Sequence, residues 1–421
     1  LKEKFNVSYA TIQAAMRKLE AEGVIDIANG KGCYLAGAKP FKIVMHMPSS
    51  ALDFGSLHKM LQKHINRKKL NIEVELREWQ RHELAQADKD NKVVMVSASF
   101  DIRFALCGLV NFSFFDGFEK MKKTLKDYKC GVDQAIYIPF YAGVSQMGVN
   151  LELLKKLGLN LRDITCDFKW WNDFKKRCKD KNIIHSSRYC DPEYKWWFGG
   201  FRALFFNLLL NEKNLPESSF EKPIFDTASG ARLLDIMASH IDKAAKDSFF
   251  KNKSVLDLSL GSWVTMQKNS KEDFKVKDFA VVPYSLGDRK ICALGLQCLQ
   301  TFIYPSVNAE EKKRLWAFVQ MLVSKPFQLD FCNLSGMLSV NKNIKSNEYA
   351  WNNRPDFSAF MPGKNDIVIP SNIFNPDELT LLGTLFEQYV YHGADKEAIQ
   401  KQLDLKLNFK QTQKKAKGEV L

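Results

Sequence analysis

No run of about 18 apolar residues occurs in this chain, so no membrane-spanning helix is expected. Its first residues lack the blocks of a signal peptide, so export is not expected either. The 9 cysteines (Cys33, Cys107, Cys130, Cys166, Cys178, Cys190, Cys292, Cys298 and Cys332) form no Cys-x-x-Cys pair and no Cys/His cluster of zinc spacing. Scattered and odd in number, they read as reduced, buried thiols of a cytoplasmic protein, with no metal site. There is no Gly-rich phosphate cradle, no HExxH and no GxSxG, which removes the common signatures of nucleotide, zinc-protease and serine-hydrolase chemistry. The 7 histidines are dispersed; His58 and His64 share an expected helix at a spacing unsuited to joint metal binding. Neither catalysis nor a cofactor is expected. No internal repeat or low-complexity segment stands out.

What is present is an ordinary globular composition, 45% hydrophobic and 26% charged, over 421 residues, enough for two or three domains. The net charge of +14 favours polyanionic partners through long-range attraction. It is not concentrated at the start: residues 1–40 hold six Lys/Arg against four Asp/Glu, or +2. Residues 401–421 hold six Lys against two acids, or +4, and residues 410–421 read as a basic, solvated tail.

Residues 1–36 are the most informative. Ser8 is placed to cap a helix in which Ile12, Ala15, Met16 and Leu19 recur at i, i+3, i+4, i+7, predicting one buried stripe. Tyr9, Gln13, Arg17 and Glu20 fall on other faces. Gly23 stops the helix. Val24–Ile27 and Cys33–Leu35 read as strands around the tip Asn29-Gly30-Lys31-Gly32. On VSYATIQAAMRKLEAEGVI followed by NGKGCYL, this stretch resembles the GntR-type winged helix-turn-helix of bacterial regulators. The resemblance implies that the Ser8 helix enters the major groove of double-stranded DNA. Ser8 and Thr11 would then bond phosphates, Gln13 would read adenine, and Arg17 would reach a phosphate or guanine. Tyr9 would face the partner, and Lys31 and Gly32 would form the wing tip. The family's preceding helix would lie before Leu1, and the chain does not begin with Met, so a truncated sequence is expected. Tyr9 and Gln13 stand where relatives often carry Arg, so no operator preference carries over.

Residues 37–40 read as a linker. Beyond it, Phe41–Met47 reads as a strand, Leu52–Lys69 as a helix, Ile72–Leu76 as an alternating strand and Val93–Val96 as a short buried one, with a polar helical piece before it. Strands alternating with helices predict an α/β domain with a mostly parallel sheet. Over residues 41–409 the order of segments resembles the two-lobed type 2 periplasmic solute-binding fold, especially its carbohydrate-binding branch. Ala135–Gly143 looks like the crossing to the second lobe. Met147-Gly148-Val149-Asn150 with Leu153–Leu159, Trp171-Asn172-Asp173-Phe174, Leu260-Gly261-Ser262-Trp263 and Phe279–Pro283 follow in the family's order. Glu310–Leu322 and Asp377–Tyr391 fit its closing helices. The type 1 periplasmic fold is a rival, but its domain is shorter and lacks the Gly-Ser-Trp element.

The resemblance implies a cleft ligand, a sugar or oligosaccharide, held by aromatic faces and polar groups. The cleft candidates are Tyr141 at the crossing, Trp196, Trp197, Ser262 and Trp263; Trp79 and Trp351 are lesser ones, and Trp170-Trp171 is expected to pack. The whole then reads as an α/β chain, a small winged helix followed by a two-lobed solute-binding domain. Its expected role is a homodimeric, ligand-responsive DNA-binding transcription regulator. The alternative is the solute-binding receptor of an ABC-type sugar transporter. A third possibility, the aminotransferase-like domain of some GntR-type regulators, finds only Ser339-Val340-Asn341-Lys342, a Ser-x-x-Lys match that arises easily by chance.

Overall fold

The computed structural model describes residues 7–21, 25–28, 32–35, 40–47, 54–78, 92–97, 110–127, 135–144, 146–186, 234–235, 238–239, 249, 251–257, 275–283, 293–302, 308–354, 357–362, 367–369 and 376–406. Helix α1 (Tyr9–Ala21) begins where Ser8 caps it, the Thr11 N–H donating to Ser8 Oγ at 3.1 Å. Strands β1 (Ile25–Ala28) and β2 (Gly32–Leu35) pair antiparallel, with Ile25 opposite Leu35 and Ala28 opposite Gly32. The expected stripe lies on one side of α1 but is not buried: Ile12 and Met16 are half-buried, Ala15 and Leu19 exposed. The helix packs against β1, and a two-stranded hairpin is too narrow to cover a full helical stripe.

The larger of two further sheets is seven-stranded, in the order β12 (Leu338–Ser339), β6 (Ile138–Val144), β11 (Ala293–Phe302), β5 (Lys92–Ser97), β3 (Phe41–Met47), β4 (Ile72–Glu78), with β13 (Ile367–Ile369) paired to β11. Its first strands are β3, β4 and β5, with β3 parallel to both neighbours. All of β3 except Lys42 is buried, as a strand covered on both faces should be. Between β3 and β4 runs α2 (Phe54–Arg67), whose Leu57, Met60, Leu61, His64 and Ile65 form the core-facing stripe. A short helix α3 (Phe118–Lys122) precedes β6.

The smaller sheet has the order β10-β7-β9-β8: β7 (Gln146–Asn150), β8 (Ile184–Ser186), β9 (Ser254–Asp257) and β10 (Phe279–Pro283). It carries α4 (Leu151–Lys156), capped by Asn150, and α5 (Phe168–Asp180), capped by Asp167. Helices α6 (Ala309–Leu322) and α7 (Lys325–Ser335) return to the first sheet's core. There Trp316 lies 5.2 Å from Phe112 and donates its indole N–H to the Asp116 carbonyl at 2.9 Å. Helices α8 (Pro376–His392) and α9 (Lys396–Lys406) close the described chain. Among the described residues no helix is long and apolar enough to cross a membrane.

The expectation of a mostly parallel sheet is corrected. β11 runs antiparallel to both β5 and β6, and β12 antiparallel to β6, so the sheet is mixed. The cause is topological: β6 leaves this sheet for β7, and β11 comes back from β10 running the other way. The polar helical piece, the tip residues 29–31, most of the linker and the tail from residue 410 lie outside the described residues.

Candidate functional site

Two sheets joined by strands that pass from one to the other define two lobes. β6 ends at Val144 in the first sheet and β7 begins at Gln146 in the second. The chain passes back between Pro283 and Ala293. The crossing expected at Ala135–Gly143 falls instead just after that segment: β6 stays in the first sheet to Val144, and the step to the second lies between Val144 and Gln146.

β6 is held in place by α7. The amide of Gln328, fully buried, donates from Nε2 to the carbonyls of Phe140 (2.8 Å) and Leu322 (2.9 Å). Its Oε1 accepts from Ser339 Oγ (2.9 Å) and the Val340 N–H (3.2 Å). Ser339 is thus engaged in a structural bond. Phe327 and Phe331 of α7 pack on Phe140.

Tyr141 is 8% exposed, with its ring centroid 5.5 Å from Phe140 and 5.4 Å from Phe331. Burial pushes its phenol well above the usual tyrosine range. The structure therefore places Tyr141 in the wall of the first lobe, packed into its core. Directly opposite on β11 is Gln297, beside a register shift between Gln297 and Cys298. Its Oε1 is buried with no hydrogen-bond partner among the described residues. Sequence reading passed over Gln297 because a lone glutamine in an apolar strand carries no motif; its pairing with the crossing strand is the signal. Trp196, Trp197, Ser262, Trp263 and Trp79 lie outside the described residues. Trp170 and Trp171 pack, as expected: Trp171 is 2% exposed, and Trp170 stacks on Phe174 at 5.0 Å. Trp351 packs at the boundary of the lobes, against core residues of both.

A depression of about 600 Å³ opens beside α4, walled by Leu154, Leu159, Leu161 and Arg162 among others. None of the expected site residues lines it.

No family model matches the chain, and no curated protein matches it. Solved structures do. Maltose-bound MalE3 of T. maritima aligns with a TM-score of 0.66 at 16% identity, covering 87% of this chain and 99% of its own. A chitin oligosaccharide binding protein aligns with a TM-score of 0.71 at 13% identity, covering 90% and 100%. An ABC transporter solute-binding protein from Thermotoga lettingae, bound with α-D-tagatose, aligns with a TM-score of 0.65 at 14% identity, covering 88% and 99%. This chain has the two-lobed solute-binding fold.

These likenesses overturn the reading of the chain as a DNA-binding transcription regulator. The matched structures are ABC solute-binding proteins, and nothing in the comparisons supports a GntR-type winged helix, a DNA partner or a homodimer. The Ser8 and Thr11 hydroxyls lie 2.8 Å apart, and Ser8 Oγ also takes the Thr11 N–H, so both serve the helix cap. Tyr9 (67% exposed), Gln13 and Arg17 stand on the exposed surface of α1. Gly32 only opens β2, and Lys31 lies outside the described residues.

Proposed function

We propose that this chain is the solute-binding receptor of an ABC-type sugar transporter, taking a sugar or oligosaccharide between its lobes. The observation that supports this most is the pair of chain crossings, β6 to β7 and β10 to β11. Two lobes joined at such strands can close on a solute by small dihedral changes at the crossing. Solved structures of this fold hold maltose and α-D-tagatose.

In this reading Trp196, Trp197 and Trp263 offer aromatic faces to sugar C–H surfaces, and Ser262 offers a hydroxyl. Tyr141 backs the crossing strand, and Gln297 holds a carbonyl oxygen for a sugar hydroxyl. No bond is made or broken: the protein binds, closes and hands its solute to a permease. Such a receptor works outside the cytoplasm, in contrast to the cytoplasmic location expected from the cysteines and the first residues.

A thermal-shift panel of maltose, raffinose, chitin oligosaccharides and tagatose tests the reading. A true ligand at a hundred times its Kd stabilises the folded state by about 2.7 kcal/mol and raises Tm accordingly. Alanine at Trp263 or Trp196 should abolish that rise. A panel without any hit, against a hit among amino acids or peptides, would remove the sugar assignment.

A further inference from the structure

The stretch after β12 forms an aromatic strap. Tyr349 is 2% exposed, and its hydroxyl accepts from the Ser339 N–H at 3.1 Å. The Ala350 N–H donates to Asn333 Oδ1 at 2.7 Å, and Trp351 Nε1 donates to the Cys332 carbonyl at 3.2 Å. These anchors all belong to the first lobe, on β12 and the end of α7. Within the strap, Trp351 stacks on Tyr349 at 4.7 Å and tilts against Phe357 at 5.3 Å.

The strap's other contacts reach the second lobe. Trp351 packs against Val281 of β10, whose side chain is buried. The Arg354 guanidinium lies 5.8 Å from the centre of the Phe279 ring, also on β10. Trp351 thereby touches the apolar cores of both lobes. The two sets of contacts differ in kind. Hydrogen bonds hold the strap to the first lobe, and breaking the buried one between Ser339 and Tyr349 would strand polar groups. Toward the second lobe the strap presents the Trp351 ring to Val281 and the Arg354 cation to the Phe279 ring, and apolar contact of this kind is non-directional.

We propose that Trp351 is a positioning residue for ligand binding, a latch from the first lobe onto β10 that sets the balance between lobe arrangements. It acts on affinity without touching the sugar: Tyr349 stacks on its ring and its N–H is already engaged. The proposal deepens the receptor reading and rests on it. If the latch sets only the fraction of binding-competent molecules, its loss scales the apparent Kd of every ligand by one common factor.

The test uses the full chain with Trp351→Ala, Trp351→Phe and Arg354→Ala. Small-angle X-ray scattering without sugar should show a radius of gyration for Trp351→Ala displaced from wild type, with Trp351→Phe restoring it. Titration with every sugar that binds wild type, from the panel above, should show Kd displaced by one shared factor, roughly 3- to 10-fold. Superimposable scattering of wild type and Trp351→Ala overturns the latch. A factor that differs from sugar to sugar also overturns it, because it marks direct contact. Should Trp351→Ala fail to fold, Arg354→Ala, which removes the cation over Phe279, takes its place. If wild type binds no sugar, the receptor reading falls, and the scattering comparison still decides the latch.

Discussion

Gln328 uses every hydrogen-bonding position of its amide: both N–H groups donate, and the oxygen accepts twice. One side chain thus binds the crossing strand β6, the end of α6 and the β12 turn. Gln328→Leu keeps the volume and removes all four bonds, leaving the Phe140 and Leu322 carbonyls without their side-chain donor. The variant should lose about 2–4 kcal/mol of stability, read as a lower urea midpoint; an unchanged midpoint would show that the network is incidental. Residue roles of this kind are hard to see in sequence. A glutamine between Phe327 and Leu329 reads as an exposed helix position, and only the fold makes it the centre of a polar cluster. Tyr141 shows the same limit: the sequence marks its strand, while packing on Phe331 decides where its ring goes.

At the scale of elements, α2 and α7 are joined by a small charged cluster. Asp330 Oδ2 lies 2.8 Å from Lys63 Nζ and 2.9 Å from His64 Nε2, and His64 is buried edge-on to Phe327. Partial burial pulls the Asp330 pKa upward, but Lys63 and His64 outweigh it and hold the carboxyl below its ordinary value. A depressed folded-state pKa stabilises above the unfolded value and loses that contribution as pH falls through the folded one. The tie is therefore fully present above the ordinary aspartate value of about 3.9 and fades below it. Asp330→Asn should cost roughly 0.2–1 kcal/mol at pH 7, and its stability should decline less steeply than wild type's below about pH 4. Parallel thermal melts at pH 7 and in that acid range decide this; identical slopes would mean that the pair contributes nothing. Asp235, Glu75, Glu152 and Glu348 are also held low, so the variant keeps their share of the acid response.

Elements were also where the sequence spoke most clearly. Phe41–Met47 is a strand over the residues expected, because an apolar run bounded by turn residues leaves little choice of ends, and Phe279–Pro283, placed by the resemblance, is a strand as well. The caps at Asn150 and Asn308, which the sequence reading did not name, are made by side chains at the helix starts, with Glu311 completing the box at Asn308. The mixed pairing of the large sheet was not legible, since strand direction depends on which lobe the chain has just left. The stripe of α1 misled for a related reason: periodicity shows that a face is apolar, not that something covers it.

For the whole molecule, the order of segments identified the two-lobed fold; the first crossing lies just after the segment that order marked, and the return from β10 to β11 was not marked. The regulator reading failed because a helix and a hairpin of the right spacing form a local pattern, while the matched solved structures speak for 87–90% of the chain. The central claim is that a sugar closes the lobes about the crossing strands. Small-angle scattering of wild-type protein, with and without a saturating amount of whichever panel sugar raises Tm, measures this directly. The account predicts a smaller radius of gyration in the sugar-bound state, with full occupancy confirmed by calorimetry. Saturated protein with a radius equal to that of the free form would contradict it.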